Sequence, residues 1–285
     1  MPRQPKVAVV IPTKSNLECF FNCLNTFRTQ SSYSNVKFYI ADTGSTKPEL
    51  AAIKNHLAEQ FSVDQNCELL QYDYWNFAKI NNDVIKNYVD KDTDLILFCN
   101  DDIELISDSL SYMVKAYMMH KNDVGTVGCR LIFEDNLLQH GGMLAFAREF
   151  KDGTSSPVSF THRGYKTQLK FEQDGPEEVV GNTCGFCLMS YELFLDIGGF
   201  NENYAYCFED VELNMECLVR GKTNLYIDYA KCIHFESASR NRFFDTGQEA
   251  IRQHFDYNKN LGPFINKNMK YIKKFVEVIA EKELV

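Results

Sequence analysis

Glu209, Asp210 and Glu212 stand together in the stretch AYCFEDVELNMECLVRG, framed by Tyr204, Tyr206, Phe208, Val211 and Leu213. Charged groups are rarely buried without a partner. These acids therefore either start a helix or are placed to do chemistry. Acids in a first helical turn stabilise the helix dipole by about 0.3–1 kcal/mol. An aromatic frame also raises a carboxylate's pKa towards the working range of a general base. A second group, Asn100, Asp101 and Asp102, follows the apolar run LILFC. Paired acids at the end of a strand can hold Mg²⁺ or Mn²⁺, which favour oxygen ligands and bridge to phosphates. The same three residues could equally form a turn that caps the next helix. His234, in CIHFES, sits beside Glu236 and Ser237. A neighbouring acceptor can orient such an imidazole towards a metal, although a lone His is more often a structural hydrogen-bonder.

The elements that must position these groups follow from the apolar pattern. KVAVVIPT is a continuous apolar run, as in a buried parallel strand. LECFFNCLNTFRTQ follows at helical spacing. VKFYIADTGST reads as a strand ending in Asp42. KPELAAIKNHLAEQF is a helix with Pro48 suited to its first turn. CELLQYD, NFAKINNDVIKNYVD and DLILFCNDD continue the alternation as strand, helix and strand. This predicts an α/β fold with a doubly wound, mostly parallel sheet. Ligands in such sheets bind at the carboxyl ends of the strands, where Pro12, Thr13, Asp42 and Asn100–Asp102 fall.

Beyond the helix ISDSLSYMVKAYMMHKN the regularity breaks. VGTVGCRLIF reads as a strand, residues 145–178 as a long loop, GNTCGFCLMSYELFLDIGGF as strand and helix, and TNLYIDYAKCIHFES as strands. The tail from about residue 240 reads as helical and Lys-rich. No Pro/Gly/Ser linker divides the chain, so one unit is expected.

The chain has 285 residues, a net charge of −9 and 22 Phe, enough apolar mass for a sizeable core. The acidic balance argues against nucleic acid, which needs a basic face. A small anion with a metal stays compatible. The apolar runs fall far short of the roughly 20 residues of a membrane span, and the N-terminal one is too short for a signal peptide. A cytoplasmic protein is expected, with at most peripheral contact at a membrane's inner face. The 10 scattered Cys fit a reducing compartment. Cys184 and Cys187 form a lone CxxC, better read as buried thiols than as a metal or redox pair. GxGxxG after the first strand, GxxxxGK[ST], HExxH and GxSxG are all missing, which counts against dinucleotide oxidoreductases and P-loop NTPases.

In order and spacing, VAVVIPTKSNLECFFNCLNTF, IADTGST, NFAKINN and LILFCNDDIEL resemble the donor-binding half of a family 2, GT-A fold, inverting glycosyltransferase. VGCRLIFEDNLLQHGGM, GNTCGFCLMSYELFLDIGGFNENY, CFEDVELNMECLVRG and YAKCIHFES resemble its acceptor half. The resemblance covers about residues 6–260. It implies a single GT-A domain over 1–240 with a nucleotide-sugar half (about 1–128), an acceptor half (129–240) carrying a smaller sheet, and a helical extension over 241–285. It also implies roles. Pro12 and Thr13 would lie beside the nucleoside, and Asp42 would accept a hydrogen bond from the base, commonly uracil. Lys79 and Asn82 would line the nucleotide pocket, and Gly181 to Gly185 part of the sugar pocket. Asn100–Asp102 takes the place of a DxD motif. Its first position is Asn, so Asp102 would ligate Mn²⁺ or Mg²⁺, Asp101 would reach the ribose or sugar, and His234 would complete the metal site. Asp210 would be the general base with Glu209 shaping the site beside it. The aromatics would form an acceptor platform, and Glu212 would be a solvated helix acid. Arg130 and His140 match polar positions near the site and receive no role. The implied activity moves a sugar from a nucleotide-diphosphate donor, UDP by default and dTDP as the other candidate, to a glycan or lipid-linked acceptor of a surface polysaccharide. The competing readings are a sugar-phosphate nucleotidyltransferase, which would normally open with a Gly-rich loop, and a degenerate member that binds without turnover.

Overall fold

The computed structural model describes residues 3–61, 66–168, 175–204, 207–235 and 246–280. The first half alternates strand and helix: β1 (Val7–Thr13), α1 (Leu17–Gln30), β2 (Val36–Asp42), α2 (Lys47–Gln60), β3 (Cys67–Gln71), α3 (Phe77–Asn87) and β4 (Leu95–Cys99). β3, β2, β1 and β4 lie side by side in that order, all parallel. Every residue of β1 and β4 is buried. Helices cover both faces of the sheet, which is why these strands read as unbroken apolar runs. α2 starts with a capping box between Thr46 and Glu49.

β5 (Ile103–Leu105), α4 (Ser109–Met119), β6 (Val124–Ile132) and β7 (Leu138–His140) come next. They are followed by β8 (Met143–Glu149), β9 (Ser159–His162), β10 (Glu177–Val179), β11 (Phe186–Ser190), α5 (Tyr191–Ile197), α6 (Glu209–Val219) and β12 (Thr223–His234). β11 inserts antiparallel between β4 and β6, and β12 runs parallel to β6. The result, among the described residues, is a ten-stranded mixed sheet. One core lies under α1, α2 and α4, and another under α3, α5 and α6.

The segment expected as a loop over 145–178 instead carries β8, β9 and the start of β10 (residues 169–174 are outside the described set). β9 and β10 are short, and β8 alternates buried and partly exposed positions only at its start. The C-terminal segment holds α7 (Thr246–Asp256), a π-helical turn (Tyr257–Leu261), α8 (Gly262–Ile272) and a 3₁₀ turn (Lys273–Phe275). It then leaves the helical pattern for β13 (Val276–Ala280), which pairs parallel with β8 and completes a three-stranded sheet, β13-β8-β9. The run Val-Glu-Val-Ile-Ala suits a strand, and its β-branched residues override the Lys-rich helical reading before it.

α6 sits between the two sheets. Leu213 and Cys217 face the core of the large sheet, while Val211, Met215 and Leu218 pack with Met143, Ala145, Leu261 and Ile265 in a third core. A helix that is apolar on two sides explains the frame around Asp210.

Candidate active site

The carboxyl ends of the parallel strands gather the polar groups. β1 and β2 run in register, with Thr13 opposite Asp42. Pro12, Thr13 and Asp42 are all buried there. Thr13 Oγ1 donates to Asp101 Oδ2 at 2.8 Å, and Ser45 N–H donates to Asp42 Oδ1 at 3.2 Å. Burial, and next the charge of Asp102, push the Asp101 carboxyl up to about 7.

β12 brings the distant His234 to the same place. It runs antiparallel to β5, with His234 opposite Ile103, so Asp102 is next to it. His234 Nε2 lies 3.2 Å from Asp102 Oδ1 and 3.3 Å from Asn100 Nδ2. Gln139 fixes the other side of the ring. Its Nε2 donates to the His234 carbonyl at 3.3 Å, so its Oε1 faces His234 Nδ1 at 2.6 Å. An amide oxygen only accepts, so the proton sits on Nδ1 and the neutral ring keeps a lone pair on Nε2. That lone pair and the Asp102 carboxylate oxygen are both electron-rich, and a cation beside both favours the arrangement. One oxygen and one imidazole nitrogen suit Mn²⁺, and Mg²⁺ through the oxygen. Among the described residues no three His, Cys, Asp or Glu side chains converge as a metal cluster. Asp102 Oδ1 and His234 Nε2 side by side fit a metal held by few protein ligands, with donor phosphates and water completing its shell.

One turn connects this group to Asp210. Gly185 O accepts from Asn100 N at 2.8 Å, and a Cβ on Gly185 would meet Asn100 Nδ2 at 3.4 Å and His234 Cε1 at 3.5 Å. One residue earlier, Cys184 N–H donates to Asp210 Oδ2 at 3.3 Å. Asp210 lies in the first turn of α6, entered through Phe208 in the left-handed region at φ +77°. Such backbone costs a non-glycine about 1–2 kcal/mol and aims the acids. Burial raises the Asp210 carboxyl above its ordinary range, opposed by neighbouring His162 and by the Cys184 and Val211 N–H groups that donate to it. Asp210 and Glu209 remain partly exposed.

Several expected positions differ. Asn82 is 2% exposed and commits its amide to the 200–202 turn. Its Oδ1 accepts from Phe200 N at 2.8 Å, and its Nδ2 donates to Phe200 O at 2.8 Å and Glu202 Oε1 at 2.9 Å. Lys79 is exposed, 4.7 Å above the Tyr74 ring. Gly181 faces α6, where a Cβ would come within 2.7 Å of Asn214 Cβ. Arg130 pairs with Asp228 at 2.8 Å. Glu212 is a half-buried acceptor from Tyr204 OH at 2.5 Å and Asn201 Nδ2 at 3.0 Å, not a solvated acid. Tyr204 is consequently a core residue at 3% exposed rather than an open platform. Tyr206, Glu236 and Ser237 lie outside the described residues. Cys184 and Cys187 are buried free thiols.

The sequence reading missed Gln139, Thr183 and a buried amide network. In that network Asn214 Nδ2 donates to Asn182 O and Asp210 O, each at 2.7 Å, while Asn214 Oδ1 accepts from Asn182 N at 3.0 Å and Thr126 Oγ1 at 2.7 Å. Asn224 Nδ2 adds bonds to Val180 O at 2.9 Å and Asn214 O at 3.0 Å. Asn or Gln beside apolar residues is the only sequence trace these positions leave.

The fold matches solved structures at low sequence identity. The crystal structure of GalNAc-T7 with UDP, GalNAc and Mn²⁺ matches 82% of this chain and 44% of its own, at TM-score 0.62 and 10% identity. The mannosyltransferase PcManGT from Pyrobaculum calidifontis, in complex with GDP-Man and Mn²⁺, matches 96% of this chain and 75% of its own, at TM-score 0.58 and 13% identity.

The fold is GT-A.

In sequence, this GT-A protein is 29% identical over 238 residues to the O-antigen biosynthesis protein RfbC of Myxococcus xanthus, covering 83% of this chain. It is 27% identical over 180 residues to the rhamnosyltransferase WbbL of Escherichia coli strain K12, covering 61% of this chain. The chain spans 18% of the first relative and 65% of the second. No family model matches. No helix among the described residues is long and apolar enough to cross a membrane.

Proposed function

We propose that this GT-A protein is a metal-dependent, inverting glycosyltransferase of family 2 that acts in the synthesis of a surface polysaccharide. The observation that carries this reading is the Thr183–Gly185 turn. Its Cys184 amide holds Asp210, and its Gly185 packs against Asn100 and His234. A base and a phosphate-side group thus share one turn at the strand ends. The relative named for O-antigen biosynthesis supports a role in surface polysaccharide synthesis, and the rhamnosyltransferase supports glycosyl transfer.

Asp102 and His234 Nε2 would hold Mn²⁺ or Mg²⁺, which would supply positive charge to the leaving diphosphate. Pro12, Thr13 and Asp42 would contact the nucleoside of a UDP- or dTDP-sugar, with Asp101 hydrogen-bonded by Thr13 and turned to the ribose or sugar. Asp210 would take the proton from the acceptor hydroxyl as it attacks the anomeric carbon, opposite the departing diphosphate. One carboxylate suffices for a single displacement with inversion. Glu209 would shape the acceptor side. The raised pKa of Asp210 brings it nearer the pH at which a base both stays ionised and accepts a proton. The proposed acceptor is a glycan or lipid-linked hydroxyl.

Calorimetric titration of UDP, dTDP and GDP, with and without Mn²⁺, tests the donor side. One nucleotide binding tightly only with metal is expected, and no binding of any by folded protein would overturn the reading. Asp210→Asn tests the base. Transfer should fall by about 10²–10⁴ with metal-dependent nucleotide affinity within about twofold, and near-normal turnover would remove Asp210 from the role.

A further inference from the structure

His140 has no part in the reaction as described, yet it is 1% exposed and makes a specific set of contacts. Its Nδ1 lies 2.7 Å from Nδ1 of His162, on the small sheet, with the rings edge-on at 4.9 Å between centroids. Its Nε2 faces the backbone N–H of Thr183 at 3.4 Å. A backbone N–H only donates, so His140 Nε2 carries the lone pair and the proton sits on Nδ1. That proton is donated to His162 Nδ1, which leaves the His162 proton on Nε2. One amide thus sets the tautomers of two imidazoles in series. A second proton on the pair would put two hydrogens into the 2.7 Å gap or break the Thr183 contact. Burial, above all, holds the His140 pKa well below its ordinary value and keeps the ring neutral.

The next amide in the chain belongs to Cys184 and goes to Asp210. Successive N–H groups of one turn therefore serve the imidazole pair and the carboxylate.

We propose that His140 and His162 are positioning residues for Asp210, acting through the Thr183–Cys184 turn and tying the small sheet to the acceptor side of the site. The proposal rests on the reading of Asp210 as the base. The other ionisable groups around it are Glu209 and Glu212 on α6, Cys184 on the turn, and His234, which acts on His140 from β12. Arg163 follows His162, is held by Glu177 at 2.6 and 2.7 Å, and lies over the Tyr226 ring. None of these replaces the two amide bonds.

The test uses His140→Ala and His162→Ala in the full chain, with His140→Gln and His162→Asn as rescues. A Gln oxygen reaches the Nε2 position and can accept from Thr183. An Asn oxygen reaches the Nδ1 position and can accept from His140. The first readout is the titration of the Asp210 carboxyl by ¹³C NMR without substrate, its signal identified by its loss in Asp210→Asn. The second is the acid limb of kcat/KM against pH. Both alanine variants should raise the Asp210 pKa by about half a unit or more, because the turn that presents the Cys184 N–H to the carboxylate is loosened. The acid limb should move to higher pH with it, while UDP affinity with Mn²⁺ stays within about twofold. The rescues should return the titration most of the way. An unmoved Asp210 titration in the alanine variants, or rescues that behave like alanine, would overturn the proposal. If His140→Ala does not fold, His162→Ala, at a half-buried position, carries the same test. Turnover surviving in Asp210→Asn would sink the base assignment instead, and the NMR titration would still decide the pairing.

Discussion

Replacing Asn214 with Leu should be among the most damaging single changes outside the reacting groups. Asn214 is 1% exposed, and Asn182 and Thr126 are fully buried beside it. Leu is close in volume, so the substitution leaves little cavity and isolates the polar loss. It removes both partners that Asn214 gives to the backbone of Asn182, one to its N–H at 3.0 Å and one to its C=O at 2.7 Å. Each buried group left unpaired costs about 1–3 kcal/mol, and the two together about 4 kcal/mol. Thr126 Oγ1 can turn to Asn224 Oδ1 at 3.1 Å, so it adds little. Against a typical stability of about 5–15 kcal/mol this is a large fraction. Urea unfolding, compared at equal slope, measures it. Thr126→Val serves as a control and should cost about 1 kcal/mol. A loss under about 1 kcal/mol for Asn214→Leu would refute the view that this network pins α6 and the 180–183 segment to the sheet. The same variant should weaken transfer more than nucleotide binding, because the network holds Asp210 O and not the strand ends.

Gln139→Leu frees the His234 ring to carry its proton on Nε2, so Mn²⁺ affinity should fall by about 10–100-fold. Electron paramagnetic resonance of free Mn²⁺ reads this without any turnover, and unchanged affinity would remove Gln139 from its orienting role. Glu212 supplies a stability test with a defined sign. Burial raises its folded pKa above the ordinary 4.5, so its favourable share is present below that value and is lost as pH rises through the folded pKa. Glu212→Gln should therefore flatten the fall in urea midpoint between about pH 4 and 8, and equal slopes for the two proteins would count against it.

The parallel half of the fold was legible because its physics is local. β1 and β4 are buried on both faces, so their sequences are unbroken apolar runs, and α1 repeats Phe20, Cys23, Leu24 and Phe27 at helical spacing. Strand ends then place Thr13, Asp42 and Asp101 together without further information. The small sheet was not legible. β9 is short, β8 alternates only at its start, and β13 reaches β8 from far along the chain, so its pairing leaves no periodic mark near either strand.

The sequence by itself determined the α/β alternation, the acids at the strand ends and the acids that open α6. Only the tertiary structure decided which of them share surroundings. Asp102 meets His234 because β12 pairs with β5, and Asp210 meets the Cys184 amide because the turn before β11 lies over the start of α6. It also turned Glu212 and Asn82 from expected surface or pocket groups into anchors, the first half-buried and the second buried. The reason is that a side chain's partners in these cases are long-range backbone amides and rings. Residue type gives what a group can donate or accept, while sheet register and helix packing decide what stands opposite it.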